Sequence, residues 1–142
     1  MQTQILTYNQ PITLESGFVL PKVDIAYHTF GEMNADKSNV VWICHAFSAN
    51  SDPTDWWPGM VGDGLFLDPK KYFIVCANML GSCYGTTGPL SINPETGRKY
   101  YGTFPTVTVR DMVQTLTILR KHLGIEKIHF AAGFSMGGQQ LL

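Results

Sequence analysis

Apolar positions in this chain recur with two different periods, and the places where the period changes predict its elements. Residues 23–30 alternate, with Val23, Ile25, Tyr27 and Thr29 on one face, as a half-exposed strand requires. Residues 12–19 read as a second strand, broken up by Ser16-Gly17 and set apart by Pro21-Lys22. The two are expected to pair as an antiparallel hairpin. Residues 40–44 (Val-Val-Trp-Ile-Cys) are instead continuously apolar, the pattern of a strand buried on both faces. Residues 72–77 and 127–134 repeat that pattern. Between the last two, Val109, Met112, Val113, Leu116, Leu119 and Leu123 share one face at helical spacing. Thr108 followed by Asp111 predicts a capping box and Gly124 a stop, so a helix is expected over 109–123. Buried strands alternating with a helix imply a parallel sheet with crossovers. The expected class is α/β in a single domain: an antiparallel edge hairpin, then parallel strands with crossover helices.

Two connections are long. Residues 45–70 are rich in Asp, Pro, Gly and Trp, with room for a short helix, and residues 78–105 carry Gly and Pro throughout. Structureless loops of this length are uncommon unless they serve function. Both follow the carboxyl ends of buried strands, where open α/β sheets bind ligands.

Composition narrows the classes. The 142 residues carry a net charge of −1, 15% are charged and 44% are hydrophobic. That is too apolar for a disordered chain. The near-neutral balance argues against nucleic acid or an anionic membrane surface as partner. No apolar run approaches the roughly 20 residues of a membrane helix, and residues 1–10 lack the pattern of a signal peptide. Cys44, Cys76 and Cys83 form no CxxC pair; an odd, scattered count is neither a disulfide framework nor a zinc site and fits the cytoplasm. Cys83, in a Gly-rich loop, is the one with scope to react.

The sharpest chemical feature is Gly133-Phe134-Ser135-Met136-Gly137, followed by Gly138. A G-x-S-x-G match is weak alone, but here a buried strand leads in and a helix is expected over 137–142. That is the strand–turn–helix setting of a nucleophile elbow. In so tight a turn, side chains two residues either side of the serine would collide, hence glycine at both. The N–H of Met136 then faces developing negative charge as one oxyanion donor, helped by the helix dipole. The second donor is expected from the loop after the first central parallel strand, His45-Ala46-Phe47-Ser48, with the N–H of Phe47 the candidate. His45 precedes the serine, against the order Ser, Asp or Glu, His, and is expected to be a hydrogen-bonded structural histidine. No His or acid follows Ser135 in the sequence, and a serine hydroxyl is a poor nucleophile without a base.

Four blocks carry a family resemblance. Gly133-Phe-Ser-Met-Gly-Gly138, His45-Ala-Phe-Ser-Ala-Asn-Ser51, Asn78-Met-Leu-Gly-Ser-Cys-Tyr-Gly-Thr-Thr-Gly-Pro89 and Phe104-Pro-Thr-Val-Thr-Val-Arg-Asp-Met112 resemble, in order, segments of the homoserine O-acetyltransferase family. The departures are Phe47 where Leu is usual, Ala49 where Gly is common, and Phe134 where a second Gly is common. The resemblance implies an α/β-hydrolase fold, incomplete here and ending just after the elbow. It also implies acyl transfer from a coenzyme A thioester, acetyl-CoA or another acyl-CoA, to the hydroxyl of homoserine or a similar amino acid. Ser135 would be acylated first, with Phe47 and Met136 as backbone oxyanion donors. It implies no cofactor beyond the acyl-CoA cosubstrate and no metal, a role in methionine biosynthesis, and often a homodimer. A serine hydrolase on the same scaffold is the alternative. A non-catalytic binding protein is a third reading, and the 142 residues alone are expected to be an inactive front part of a larger enzyme.

Overall fold

A computed structural model describes residues 2–142. In chain order the elements are β1 (Gln4–Tyr8), β2 (Ile12–Thr13), β3 (Val19–Leu20), β4 (Val23–Phe30), β5 (Val40–Cys44), α1 (Pro53–Trp56), β6 (Phe73–Ala77), β7 (Ile92–Asn93), β8 (Arg98–Lys99), α2 (Val109–His122), β9 (Phe130–Gly133) and α3 (Met136–Gln139). A short 3₁₀ turn covers Tyr101–Thr103. One five-stranded sheet runs in the order β1-β4-β6-β5-β9. The β1/β4 and β4/β6 pairs are antiparallel, and β6/β5 and β5/β9 are parallel.

The continuous apolar runs at 40–44 and 72–77 become β5 and β6, side by side in this sheet, because both of their faces are covered. On one face Trp42, Cys44, Val75 and Ala77 pack with Met112, Leu116 and Leu119 of α2. On the other, Val41, Ile43, Ile74 and Cys76 pack with Val61 and Leu67, under Trp56 and Trp57. Burying each leucine of α2 is worth about 1.5–3 kcal/mol relative to leaving it in water, which is why the helical stripe at 112, 116 and 119 sets where α2 lies. The helix starts at Thr108, whose hydroxyl accepts from Asp111 N–H while the Asp111 carboxylate accepts from Thr108 N–H. It stops at Gly124, where φ is +65°.

Three expectations need correction. The antiparallel edge exists, but residues 12–19 do not pair with residues 23–30. A strand has two edges, and β1 and β6 occupy both edges of β4; β2 and β3 therefore pair only with each other, around the turn at Gly17. β4, which the alternation had suggested was half exposed, is mostly buried because both of its faces are covered, Val23, Ile25 and Tyr27 lying in one core cluster and Phe30 in the other. Second, the strand expected over 127–134 is shorter: β9 covers Phe130–Gly133 and is the last strand of the sheet that the described residues form, with Phe130 42% exposed. Third, the loop at 78–105 contains an unforeseen hairpin, β7/β8. Among the described residues, α2 is the only long helix crossing between parallel strands, and no helix is long and apolar enough to span a membrane.

Asp111 joins this helix to the β2–β3 turn, since its second carboxylate oxygen accepts from the N–H of Glu15 at 2.9 Å. The side chain is buried. Asp111→Ala removes a cap and leaves two N–H groups without their acceptor, an expected loss of about 2 kcal/mol. Thermal unfolding of the full-length protein checks this; Asp111→Asn, which keeps one acceptor oxygen, is expected to lose about half as much.

Candidate active site

Ser135 sits where β9 turns into α3, at φ +51° and ψ −120°. A residue with a Cβ at positive φ in so sparse a region costs about 1–3 kcal/mol and persists only where the surroundings dictate it. The surroundings here are backbone. Phe134 N–H donates to the Cys44 carbonyl at 3.1 Å, prolonging the β5/β9 ladder. A Cβ at Gly133 would stand 2.5 Å from the Gly137 carbonyl oxygen, and one at Gly137 would collide with the carbonyl of Cys44. Both glycines are thus required by close approach, whereas a Cβ at Gly138 would meet nothing nearer than 3.5 Å. The serine hydroxyl is exposed and makes no capping bond to α3. The helix expected over 137–142 begins one residue earlier, at Met136, directly after Ser135.

The register Cys44↔Gly133 brings the loop after β5 to the same end of the sheet as Ser135. Ala49 N–H closes a turn onto the Ala46 carbonyl at 3.0 Å, and Phe47 lies at its tip, 70% exposed. Among the described residues neither Phe47 N–H nor Met136 N–H donates to a protein acceptor, so both are free for a ligand. His45 is buried, with Nδ1 against the Ala46 carbonyl at 2.7 Å and Nε2 without a partner. Burial holds its pKa below the ordinary imidazole value, the Ala46 carbonyl acting the other way.

A polar cleft of about 490 Å³ lies to one side, lined by His28, Ser51, Asp52, Asn78 and Tyr84 among others, and by none of Ser135, Phe47 or Met136. Ser51 Oγ meets His28 Nδ1 at 2.9 Å and accepts from Asn78 Nδ2 at 2.8 Å. The same Nδ2 donates to the Tyr84 carbonyl. Asn78 therefore ties the loop after β5 to the loop after β6. Burial pushes the Cys44 thiol up to about 11 and raises the Cys76 thiol well above its ordinary value, so both stay protonated in the core, while Cys83 is exposed. No group of three or more His, Cys, Asp or Glu that could hold a metal occurs among the described residues.

Residues 39–142 match the family model described as alpha/beta hydrolase fold. The chain belongs to the alpha/beta hydrolase fold family. Relatives within that family carry one name repeatedly: a homoserine O-acetyltransferase of Chlorobium chlorochromatii is 51% identical over 141 residues, which are 99% of this chain and 40% of that protein. The crystal structure of a homoserine O-acetyltransferase from Bacillus anthracis superposes with a TM-score of 0.87 at 34% identity, covering 98% of this chain and 41% of that one. Esterase E22 superposes with a TM-score of 0.86 at 32% identity, covering 98% and 42%. The chain spans about 40% of the length of the curated relatives it matches.

In this alpha/beta hydrolase sequence the strand–turn–helix at Ser135 was legible; the hub at Asn78 was not. Its role comes from contacts with residues 27 and 6 positions away along the chain, and the signals were its place directly after a buried strand and at the start of the block from Asn78 to Pro89.

Two outcomes follow. Gly137→Ala forces a Cβ onto the Cys44 carbonyl; it is expected to cost at least about 2 kcal/mol and to abolish labelling of Ser135 by a fluorophosphonate. His45, with its depressed pKa, stays neutral while the unfolded chain protonates below about pH 6.5. Stability present above that pH is therefore expected to fall as pH drops from about 6.5 toward the folded pKa. Imidazole NMR shifts and thermal midpoints over that range check it, with a shallower fall in His45→Gln.

Proposed function

We propose that this chain, within its full-length protein, is the nucleophile-bearing part of an acyltransferase that moves an acetyl group from acetyl-CoA to the hydroxyl of homoserine. The observation that carries the reading is the strained Ser135 between two glycines that cannot bear a Cβ, in a chain 51% identical to a homoserine O-acetyltransferase over 99% of its length. Ser135 Oγ attacks the thioester carbonyl, giving up its proton to a base, and the thiol of coenzyme A leaves with a proton. The acceptor hydroxyl then attacks the acyl-serine and restores Ser135. Phe47 N–H and Met136 N–H donate to the oxyanion of each tetrahedral intermediate. The order Ser, acid, His assigns the base to residues outside 1–142, since none follows Ser135 within them. The name of the relatives suggests methionine biosynthesis, and three free cysteines suit the cytoplasm.

The likeness to esterase E22 supports a second reading, in which water takes the acyl group. One experiment separates them. The full-length protein is incubated with acetyl-CoA, with and without homoserine, and free thiol is followed. Thiol release that depends on homoserine, and that drops at least about 1,000-fold in Ser135→Ala, is the expected result. Release indifferent to homoserine supports the esterase reading instead.

A further inference from the structure

Phe134, the residue before Ser135, reaches across to the loop after β5. Its ring stands edge-on to Trp57, with centroids 4.5 Å apart at 78°, and to Trp56, 5.4 Å apart at 77°. The two tryptophans are themselves stacked at 5.9 Å, only 3° from parallel. Edge-to-face contacts of this kind are favourable beyond the area they bury. The tryptophans are in turn fixed to their own loop. Trp56 Nε1–H donates to the Asn50 carbonyl at 2.8 Å, Asn50 Nδ2 donates to Asp55 Oδ2 at 2.8 Å, and Asp52 N–H donates to Asn50 Oδ1 at 2.7 Å. Residues 50–57 are thus one hydrogen-bonded unit that begins three residues after Phe47. Through Phe134 that unit is joined to the backbone immediately before Ser135.

The bend has another attachment, on the β5 side, through Phe134 N–H to Cys44 and the packing of Gly137 on Cys44 and His45. The aromatic contact is independent of it and acts on the loop that carries Phe47. We propose that Phe134 is a positioning residue: by gripping the Trp56–Trp57 pair it holds the Ser135 bend and the Phe47 N–H at a fixed separation. The inference rests on reading Ser135 as nucleophile and Phe47 as oxyanion donor. It makes the ring at 134 a reinforcement of a backbone that already turns there, so a moderate effect is expected, confined to the chemical step. Interactions made only in the transition state lower kcat and leave KM unchanged when lost.

The test uses the full-length protein with Phe134→Ala, Phe134→Tyr, Trp57→Leu and the double variant Phe134→Ala/Trp57→Leu. Phe134→Ala is expected to lower kcat for thiol release about tenfold with KM within about twofold, and to slow fluorophosphonate labelling of Ser135 in parallel. Phe134→Tyr, which keeps the ring, retains at least about half of kcat. Trp57→Leu resembles Phe134→Ala, and the double variant is no worse than either, because both remove the same contact. Phe134→Ala within about twofold of the parent in kcat, or losses that multiply to about a hundredfold in the double variant, would overturn the proposal. A parent protein that fluorophosphonate leaves unlabelled at Ser135 removes the nucleophile reading, and the positioning role with it.

Discussion

The structure turns on one close approach. The backbone of the Ser135 bend lies against the end of β5, near enough that Gly137 cannot carry a Cβ without meeting the Cys44 carbonyl, nor Gly133 without meeting Gly137. Everything near the site depends on that contact. It prolongs the β5/β9 pairing by one hydrogen bond, from Phe134 to Cys44, and it keeps a serine at φ +51° that would relax elsewhere. It also sets the loop after β5 beside the serine, since the loop starts from the strand on which the bend rests.

The rest of the fold supports this contact from both faces. β5 lies between β6 and β9, covered by α2 on one side and by Trp56, Trp57, Val61 and Leu67 on the other. A strand held in this way has little freedom to shift register, because a slip by one residue would send Trp42 and Ile43 to the wrong faces. The rigidity of β5 is therefore passed to the loop that leaves its carboxyl end and to the Ser135 bend that rests on it. The aromatic contact from Phe134 to the tryptophan pair and the hub at Asn78 extend it into the loops. His45 belongs to the same group: buried and hydrogen-bonded to the next carbonyl, it shapes the start of the loop after β5.

Local patterns read correctly wherever burial followed from the residues themselves. The apolar runs of β5 and β6, the stripe and capping box of α2, and the strand–turn–helix at Ser135 all rest on interactions within a few residues, or on a composition that tolerates only burial. The reading was poorest for strands whose environment is set by neighbours. β1 has one exposed face, with Ile5 in solvent, and so gave no strong alternation. β4 alternates like a half-exposed strand yet contributes to both core clusters, one on each face of the sheet.

The sequence by itself determined which segments are strands with two faces to cover, where α2 begins and ends, and that a serine stands between obligatory glycines. These follow from side-chain volume, periodicity and backbone sterics, all local. Only the tertiary structure decided which strand pairs with which. Each strand has two edges, and β1 and β6 taking those of β4 leaves β2 and β3 to each other. It alone also decided that Asn78, Ser51 and His28 meet, and that Phe134 grips Trp56 and Trp57. Those contacts join residues 23 to 78 positions apart in the chain, and no local rule reaches that far.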